Sequence, residues 1–139
     1  MIVADTNVVS EFMRDAPLPT VLAWAETVPA DDLGMCVVTV EEIERGLGRL
    51  PQGRRRRDLE RRWFRLVDRY AENVALYDVE AARRAAAVLV AAEASGRPMS
   101  LADAQIAGIC LAGGHRLATR NTRDFSAVEG LALLDPFGH

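Results

Sequence analysis

The chain alternates short apolar runs with longer stretches in which apolar residues recur at helical spacing. An apolar run that starts at Met1 stops at Asp5, and this run is predicted to be a buried strand. Further strands are predicted at residues 33–38, 74–77, 116–119 and 131–134. Helical patterns cover residues 8–13, 17–26, 39–50, 54–70, 79–95 and 101–113. The polar residues 121–125 are predicted to form a turn after the fourth strand.

Three of these helices have start signals in the sequence. Thr39 with Glu42, and Ser100 with Asp103, have the spacing of a capping box, in which a hydroxyl and an acid satisfy free backbone N–H groups. Asp78 precedes the alanine-rich helix as an N-cap. The alternation of strands and helices predicts an α/β fold with helices on both faces of a parallel sheet. All 139 residues are expected to form a single domain, residues 1–139.

Targeting signals and cysteine or histidine chemistry are not indicated. No apolar run approaches the ~20 residues that a transmembrane helix requires, and no basic segment of a signal peptide precedes the first apolar run. A cytoplasmic protein without a membrane partner is therefore expected. Cys36 and Cys110 fall on apolar positions, which favours buried thiols over a metal or redox pair. His115 and His139 have no evident triad partners, which disfavours a serine-type hydrolase.

The positive charge of the chain is concentrated in one segment. All 17 basic residues are arginine, and the absence of lysine excludes phosphate-loop nucleotidases and Schiff-base enzymes. Arg54–Arg69 contains eight arginines against three acidic residues, although the whole chain has a formal net charge of −3. This segment is predicted to be an amphipathic helix with a basic outer face. Such a face can attract a phosphate backbone, meet an acidic protein, or simply be solvated.

Acidic side chains collect where the predicted strands end. Asp5 follows the first strand, Glu42 the second and Asp124 the fourth, while Asp103 lies at a helix start. Taken singly, each acid can be a helix cap or a turn residue. Asp103 fits that explanation least well, because the helical positions that follow it on the same face are apolar: Ile106, Ala107, Cys110 and Leu111.

If the fold brings these acids together, their repulsion must be relieved by protonation or by a cation. Oxygen-only ligands suit Mg²⁺ or Mn²⁺ rather than zinc. A metal-activated water could then attack a phosphodiester in line, with Asp5 as the central ligand. Arg120 and Arg123 flank the turn after the fourth strand, where they could hold phosphate oxygens or remain solvated loop charges.

The sequence resembles the PIN-domain ribonucleases. The resemblance is carried by four motifs, which appear in the family's order over nearly the whole chain: residues 3–7 (VADTN), 39–46 (TVEEIERG), 101–107 (LADAQIA) and 118–125 (ATRNTRDF). Any one of these motifs is weak evidence for the resemblance, whereas all four in order are strong evidence. The likeness is greatest to the VapC-type toxins of bacterial toxin–antitoxin pairs, including the FitB-like branch.

This resemblance implies a three-layer α/β/α PIN-like fold with a central parallel sheet of four to five strands. It further implies a Mg²⁺- or Mn²⁺-dependent endoribonuclease that forms a homodimer, with RNA as its substrate and a cognate antitoxin that blocks its site and binds operator DNA. The family's acids fall on Asp5, Glu42 and Asp103. Some relatives have aspartate where this chain has Asn121, so the fourth acid is assigned to Asp124. Residues expected to support these acids or contact phosphate are Thr6, Asn7, Thr119, Arg120, Asn121 and Arg123.

Two other functions remain open at this point. The chain could be a catalytically inactive PIN-fold module that binds RNA or protein, with its acids serving as helix caps. A small-molecule phosphatase is a weaker alternative, because the aspartyl-nucleophile type has a second acid two residues after the first, where this chain has Asn7. Convergence of the acidic side chains would favour the nuclease, and acids directed at their own helix amides would favour the binding module.

Overall fold

A computed structural model describes residues 1–138, so His139 lies outside the described part of the chain. Its strands are β1 (Ile2–Ala4), β2 (Leu33–Cys36), β3 (Val74–Ala75), β4 (Arg116–Ala118) and β5 (Leu133–Leu134). Its α-helices are α1 (Thr6–Phe12), α2 (Pro19–Thr27), α3 (Val37–Gly48), α4 (Arg54–Arg69), α5 (Val79–Ala94), α6 (Leu101–Gly113) and α7 (Thr122–Phe125), with a 3₁₀ turn at Ala30–Asp32. None of the helices within residues 1–138 is long and apolar enough to cross a membrane.

The five strands form one parallel sheet in the order β3-β2-β1-β4-β5. The first strand is central, and it alternates its side chains between two cores, as the pleat requires. Ile2 and Ala4 pack with α1, α2, α3 and α4 on one face. Val3 packs with α5, α6 and α7 on the other face. The predicted three-layer α/β/α fold is therefore confirmed.

Helix α5 lies very close to α6 because small residues line their contact. Ala81 and Ala85 of α5 are buried. A Cβ placed on Gly108 of α6 would lie only 2.5 Å from the carbonyl oxygen of Ala81. The close approach fixes the position of α6, and with it the position of Asp103 in the first turn.

The predicted amphipathic helix and the buried thiols are also confirmed. In α4, Trp63 is fully buried while the arginines are mostly exposed. Cys36 and Cys110 are free and buried, and burial raises the pKa of both thiols. Asp78 caps α5 by accepting from Ala81 N at 2.9 Å.

Three predictions of local structure were wrong. Helix α3 begins at Val37, before Thr39, so the predicted capping box at Thr39 and Glu42 is not the start of this helix. Residues 37–38, predicted to be strand, are helical because β2 passes directly into α3. The predicted turn at residues 121–125 contains the short helix α7 instead.

Candidate active site

Asp5 lies where β1 passes into α1, and it is the most buried of the candidate acids, with 4% of its surface exposed. Its Oδ1 accepts from Thr6 N at 2.8 Å. Its Oδ2 accepts from the Thr119 hydroxyl at 2.7 Å and from Asn7 Nδ2 at 3.3 Å. Asp5 therefore caps α1, as the binding-module alternative expected, and it also joins the ends of β1 and β4.

The electrostatic environment of Asp5 favours its neutral form. Burial is the main cause that raises the pKa of this carboxyl from 3.8 to about 6. The hydrogen bonds from Thr119 and Thr6 oppose that rise, and the negative charges of Asp103 and Glu42 add to it. The protein thus compensates the charge of Asp5 poorly, which is the condition in which a cation binds favourably.

A chain of hydroxyl groups connects α1 to α3 beside this acid. The Thr6 hydroxyl donates to Glu42 Oε1 at 2.7 Å and lies 3.0 Å from the Thr39 hydroxyl. Because Thr6 has only one hydroxyl proton, the Thr39 hydroxyl must donate to Thr6. Thr39 is fully buried. It orients Thr6, which in turn holds Glu42 towards the site.

Thr39 belongs to the predicted capping box and to one of the four family motifs in the sequence, but no role in the site was predicted for it. The available signal was a hydroxyl residue within a stretch that is otherwise apolar, between Cys36 and Val40. A polar residue in such a stretch needs a buried partner.

Asp103 occupies the first turn of α6, and its backbone N–H donates to the Ser100 hydroxyl at 3.1 Å. Burial is the main cause that raises the pKa of the Asp103 carboxyl, a hydrogen bond with the Ser100 side chain opposes the rise, and the charges of Glu42 and Asp124 add to it. Asp5, Glu42, Asp103 and Asp124 therefore share one electrostatic neighbourhood at the carboxyl end of the sheet. This is the expected site of ligand binding in an open α/β fold.

Among the predicted supporting residues, Asn7 and Asn121 form hydrogen bonds around the end of β4, whereas Arg123 lines a cavity. Asn7 connects α1 to the loop after β4. Its Oδ1 accepts from Arg120 N at 3.2 Å, and its side-chain Nδ2 faces Asp5 and Thr119. Asn121 N donates to the Thr119 hydroxyl at 3.0 Å. Arg123 lines a cavity that also contains Asp103 and Asp124.

The guanidinium of Arg120 stacks on the ring of Phe137 at 4.0 Å. This contact uses the face of the guanidinium and leaves the N–H groups at its edge, so the expected phosphate contact of Arg120 stays a prediction.

The donor set at this site consists of carboxylate, hydroxyl and amide oxygens, which fits a hard divalent cation. Within residues 1–138, no three histidine, cysteine, aspartate or glutamate side chains are close enough to form a ready-made metal-binding group. A cation that retains several of its water ligands fits such an open arrangement, because Mg²⁺ is usually held by only one or two carboxylates.

The fold and this acidic strand-end site are those of a PIN domain, and residues 2–131 match the PIN domain family model. The chain belongs to this family. It is 36% identical to the VapC ribonuclease Y4jK of Sinorhizobium fredii, over 99% of this chain and 98% of that one. It is 29% identical to the toxin FitB of Neisseria gonorrhoeae, over 99% of both chains.

A comparison of structures agrees with the sequence comparison. The structure of FitAB bound to an IR36 DNA fragment contains a chain that is 30% identical to this one. The match covers 98% of this chain and 95% of that chain, with a TM-score of 0.89. The fold predicted from the resemblance, and the family itself, are therefore confirmed.

Proposed function

We propose that this PIN-domain protein is an endoribonuclease toxin that hydrolyses RNA phosphodiester bonds with the help of Mg²⁺ or Mn²⁺. The observation that carries the proposal is Asp5, a buried carboxylate whose pKa is raised by burial and further by the charges of Asp103 and Glu42. The similarity over the full chain to a VapC ribonuclease and to toxin FitB supports the same reaction and substrate.

In this proposal Asp5, Glu42 and Asp103 hold the metal, and Asp124 contacts it directly or through water. Lowering the pKa of a water and neutralising charge on the phosphate are the chemistry that such an ion supplies when bound. The protein's own contribution is orientation. The Thr119 hydroxyl fixes one oxygen of Asp5 and the Thr6 amide fixes the other. The Thr6 hydroxyl fixes Glu42.

The proposal is tested by cleavage of single-stranded RNA with purified variants. Asp5→Asn, Asp103→Asn and Glu42→Gln remove one negative charge each, and we expect each to reduce cleavage by at least 100-fold, of the order expected for a missing catalytic group. Glu41→Gln is the matched control, because Glu41 is adjacent on α3 but 75% exposed and paired with Arg45. Full cleavage by folded Asp5→Asn would refute the proposal.

A regulatory partner is also proposed. By analogy with the FitAB structure, the chain is expected to pair with a cognate antitoxin that covers the acids, and to form a homodimer. Co-expression with the protein from the adjacent short reading frame should yield a stable complex with suppressed RNA cleavage. Cleavage that is unchanged in such a complex would argue against neutralisation at this site.

The second candidate is a PIN-fold module that binds RNA or protein without cleaving it. The hydrogen bond from Thr6 N to Asp5 favours this candidate, because it shows the acid serving as a helix cap. The same RNA assay separates the two functions. Binding of RNA without cleavage at millimolar Mg²⁺ or Mn²⁺ would support the module.

A further inference from the structure

Two cavities of similar size lie on opposite sides of the acids. The α4-side cavity, about 570 Å³, lies among α1, α3 and α4 and includes Thr6 and Glu42 in its wall. The α5-side cavity, about 580 Å³, lies among α5, α6 and α7 and includes Asp103 and Asp124. Each cavity therefore contains part of the same acidic group.

Both cavities combine an apolar floor with an arginine rim. In the α4-side cavity the floor includes Ile43, Leu47 and Leu59, and in the α5-side cavity it includes Val88, Met99 and Leu111. Three arginines line each cavity: Arg14, Arg55 and Arg62 on the α4 side, and Arg84, Arg97 and Arg123 on the α5 side. An apolar surface with a few fixed charges at its edge suits an amphipathic ligand such as a nucleotide.

Some of these arginines are already committed to acids. Arg14 contacts the buried Glu11, Arg62 contacts Asp15, and Arg84 contacts Glu80. By contrast, the guanidinium groups of Arg55, Arg97 and Arg123 have no hydrogen bond or ion pair with any other side chain or backbone group of residues 1–138. The unpaired cations therefore occur on both sides of the acids.

The distribution of charge favours an anionic strand that crosses the acids. The acids repel a phosphate backbone placed against them, and cations on either side reduce that repulsion in addition to the proposed metal. A guanidinium binds phosphate oxygens with well-oriented, charge-assisted hydrogen bonds. Arg55 and Arg97 supply such cations, one at each cavity. They add to Arg123, which was already expected to contact phosphate.

We infer that a single RNA strand crosses the acids with nucleotides on both sides of the cleaved bond, one in each cavity, and with Arg55 and Arg97 bound to flanking phosphates. This inference rests on the proposed ribonuclease function and extends it to the path of the substrate. The apolar floors contact bases, which expose extended apolar faces in a single strand. Arg55 and Arg97 are thus substrate-positioning residues on opposite sides of the reaction centre.

The test compares Arg55→Gln and Arg97→Gln with two matched controls. Arg57→Gln changes the same charge on α4, but Arg57 lies two residues from Arg55 and so points about 200° away around the helix. Arg83→Gln changes an exposed charge on α5 that lines neither cavity. All four side chains are exposed, so circular dichroism should show folded variants.

In an otherwise wild-type protein, Arg55→Gln and Arg97→Gln should each raise KM for a single-stranded RNA oligonucleotide several-fold while kcat changes little. Equilibrium binding of the same oligonucleotide is measured with each substitution in an Asp5→Asn protein. There the salt dependence of log Kd should fall by about 0.7 for each lost phosphate contact. The two control substitutions should leave both quantities near their starting values.

The outcomes separate this inference from the proposed function. RNA cleavage by the wild type with equal KM and salt dependence in all four variants would overturn the two-sided path and leave the nuclease in place. Absence of both cleavage and RNA binding in the parent proteins would overturn the nuclease and the path together. Loss of antitoxin binding in Arg55→Gln and Arg97→Gln with unchanged RNA affinity would assign the cavities to a polypeptide and overturn the path.

Discussion

Asp5 caps α1, and the same side chain is the proposed central metal ligand. As a cap it satisfies Thr6 N and accepts from Thr119, yet it is buried near other acids, which makes its charge costly. A residue selected only as a cap would be more favourable at an exposed position, where solvent stabilises the carboxylate. The cost of this burial is measurable in the metal-free protein.

The pKa of Asp5 predicts how the stability of the metal-free protein depends on pH. This pKa is about 6 in the folded protein against an ordinary value of 3.8, so the folded state retains a proton that the unfolded state has already lost. Asp5 therefore destabilises the fold progressively as pH rises through this window, and its full cost is present above pH 6. Below the unfolded pKa the cost is absent, because the carboxyl is neutral in both states.

We expect Asp5→Asn to raise the free energy of unfolding of the metal-free protein at pH 7 by up to about 3 kcal/mol, the value of two pKa units. Asparagine retains an oxygen for Thr6 N and has no charge to desolvate. Urea unfolding in a chelator, at pH 4 and at pH 7, measures the effect. The gain should be much smaller at pH 4 than at pH 7, and Glu41→Gln should show no such gain. An Asp5→Asn protein that is less stable at pH 7 would contradict this account.

At the scale of secondary structure, the junction of α5 and α6 fixes where Asp103 lies relative to Asp5. Gly108→Ala should destabilise the protein by about 1–3 kcal/mol, because the new Cβ meets the backbone of the neighbouring helix; the contacts are to Ala81 O at 2.5 Å and Ala85 N at 2.7 Å. Since α6 must move away, RNA cleavage should fall more than stability alone explains.

Gly48→Ala is the control for that substitution. Gly48 is also helical and lines neither cavity, and a Cβ there would meet nothing within 4 Å. Alanine at this position should stabilise α3 by about 0.5–1 kcal/mol through reduced chain entropy. Thermal unfolding and RNA cleavage of the two variants provide the comparison. Equal effects of the two substitutions would show that the α5–α6 contact is not tightly packed.

Some features of the strands and helices could be predicted from the sequence, and others could not. The alternation of strands with helices predicted the sheet, and the apolar face below Asp103 predicted that this acid points inward. The predicted start of α3 was wrong because no local signal distinguishes Val37 and Val38 in a buried strand from the same residues in a buried helical turn. The role of Thr39 depends on a partner 33 residues away in sequence, which local patterns do not reveal.

The position of Arg120 was similarly hidden from the sequence. Its guanidinium stacks on Phe137, which follows β5 and returns to the loop after β4. Only the completed sheet brings these two segments together. The sequence thus supplied the proposed site residues, whereas the contact between Arg120 and Phe137 required the structure.

At the scale of the whole molecule, the proposed metal site predicts that a cation stabilises the entire fold. A cation that binds the folded state alone stabilises it by about 2.7 kcal/mol at a concentration 100 times its Kd. For a chain of this size each kcal/mol corresponds to about 4 °C in Tm. Mg²⁺ or Mn²⁺ at that excess should therefore raise the Tm of the wild type by about 10 °C.

Comparison of Asp5→Asn with the wild type tests whether Asp5 binds the metal. Asp5→Asn should start from a higher Tm in chelator and gain little on addition of metal, because it has lost both the electrostatic cost and the central ligand. Glu41→Gln should respond as the wild type does. The two melting curves of Asp5→Asn and wild type should therefore converge as metal is added. A constant Tm difference between them across the metal titration would mean that Asp5 does not bind the ion, and that its burial serves the fold alone.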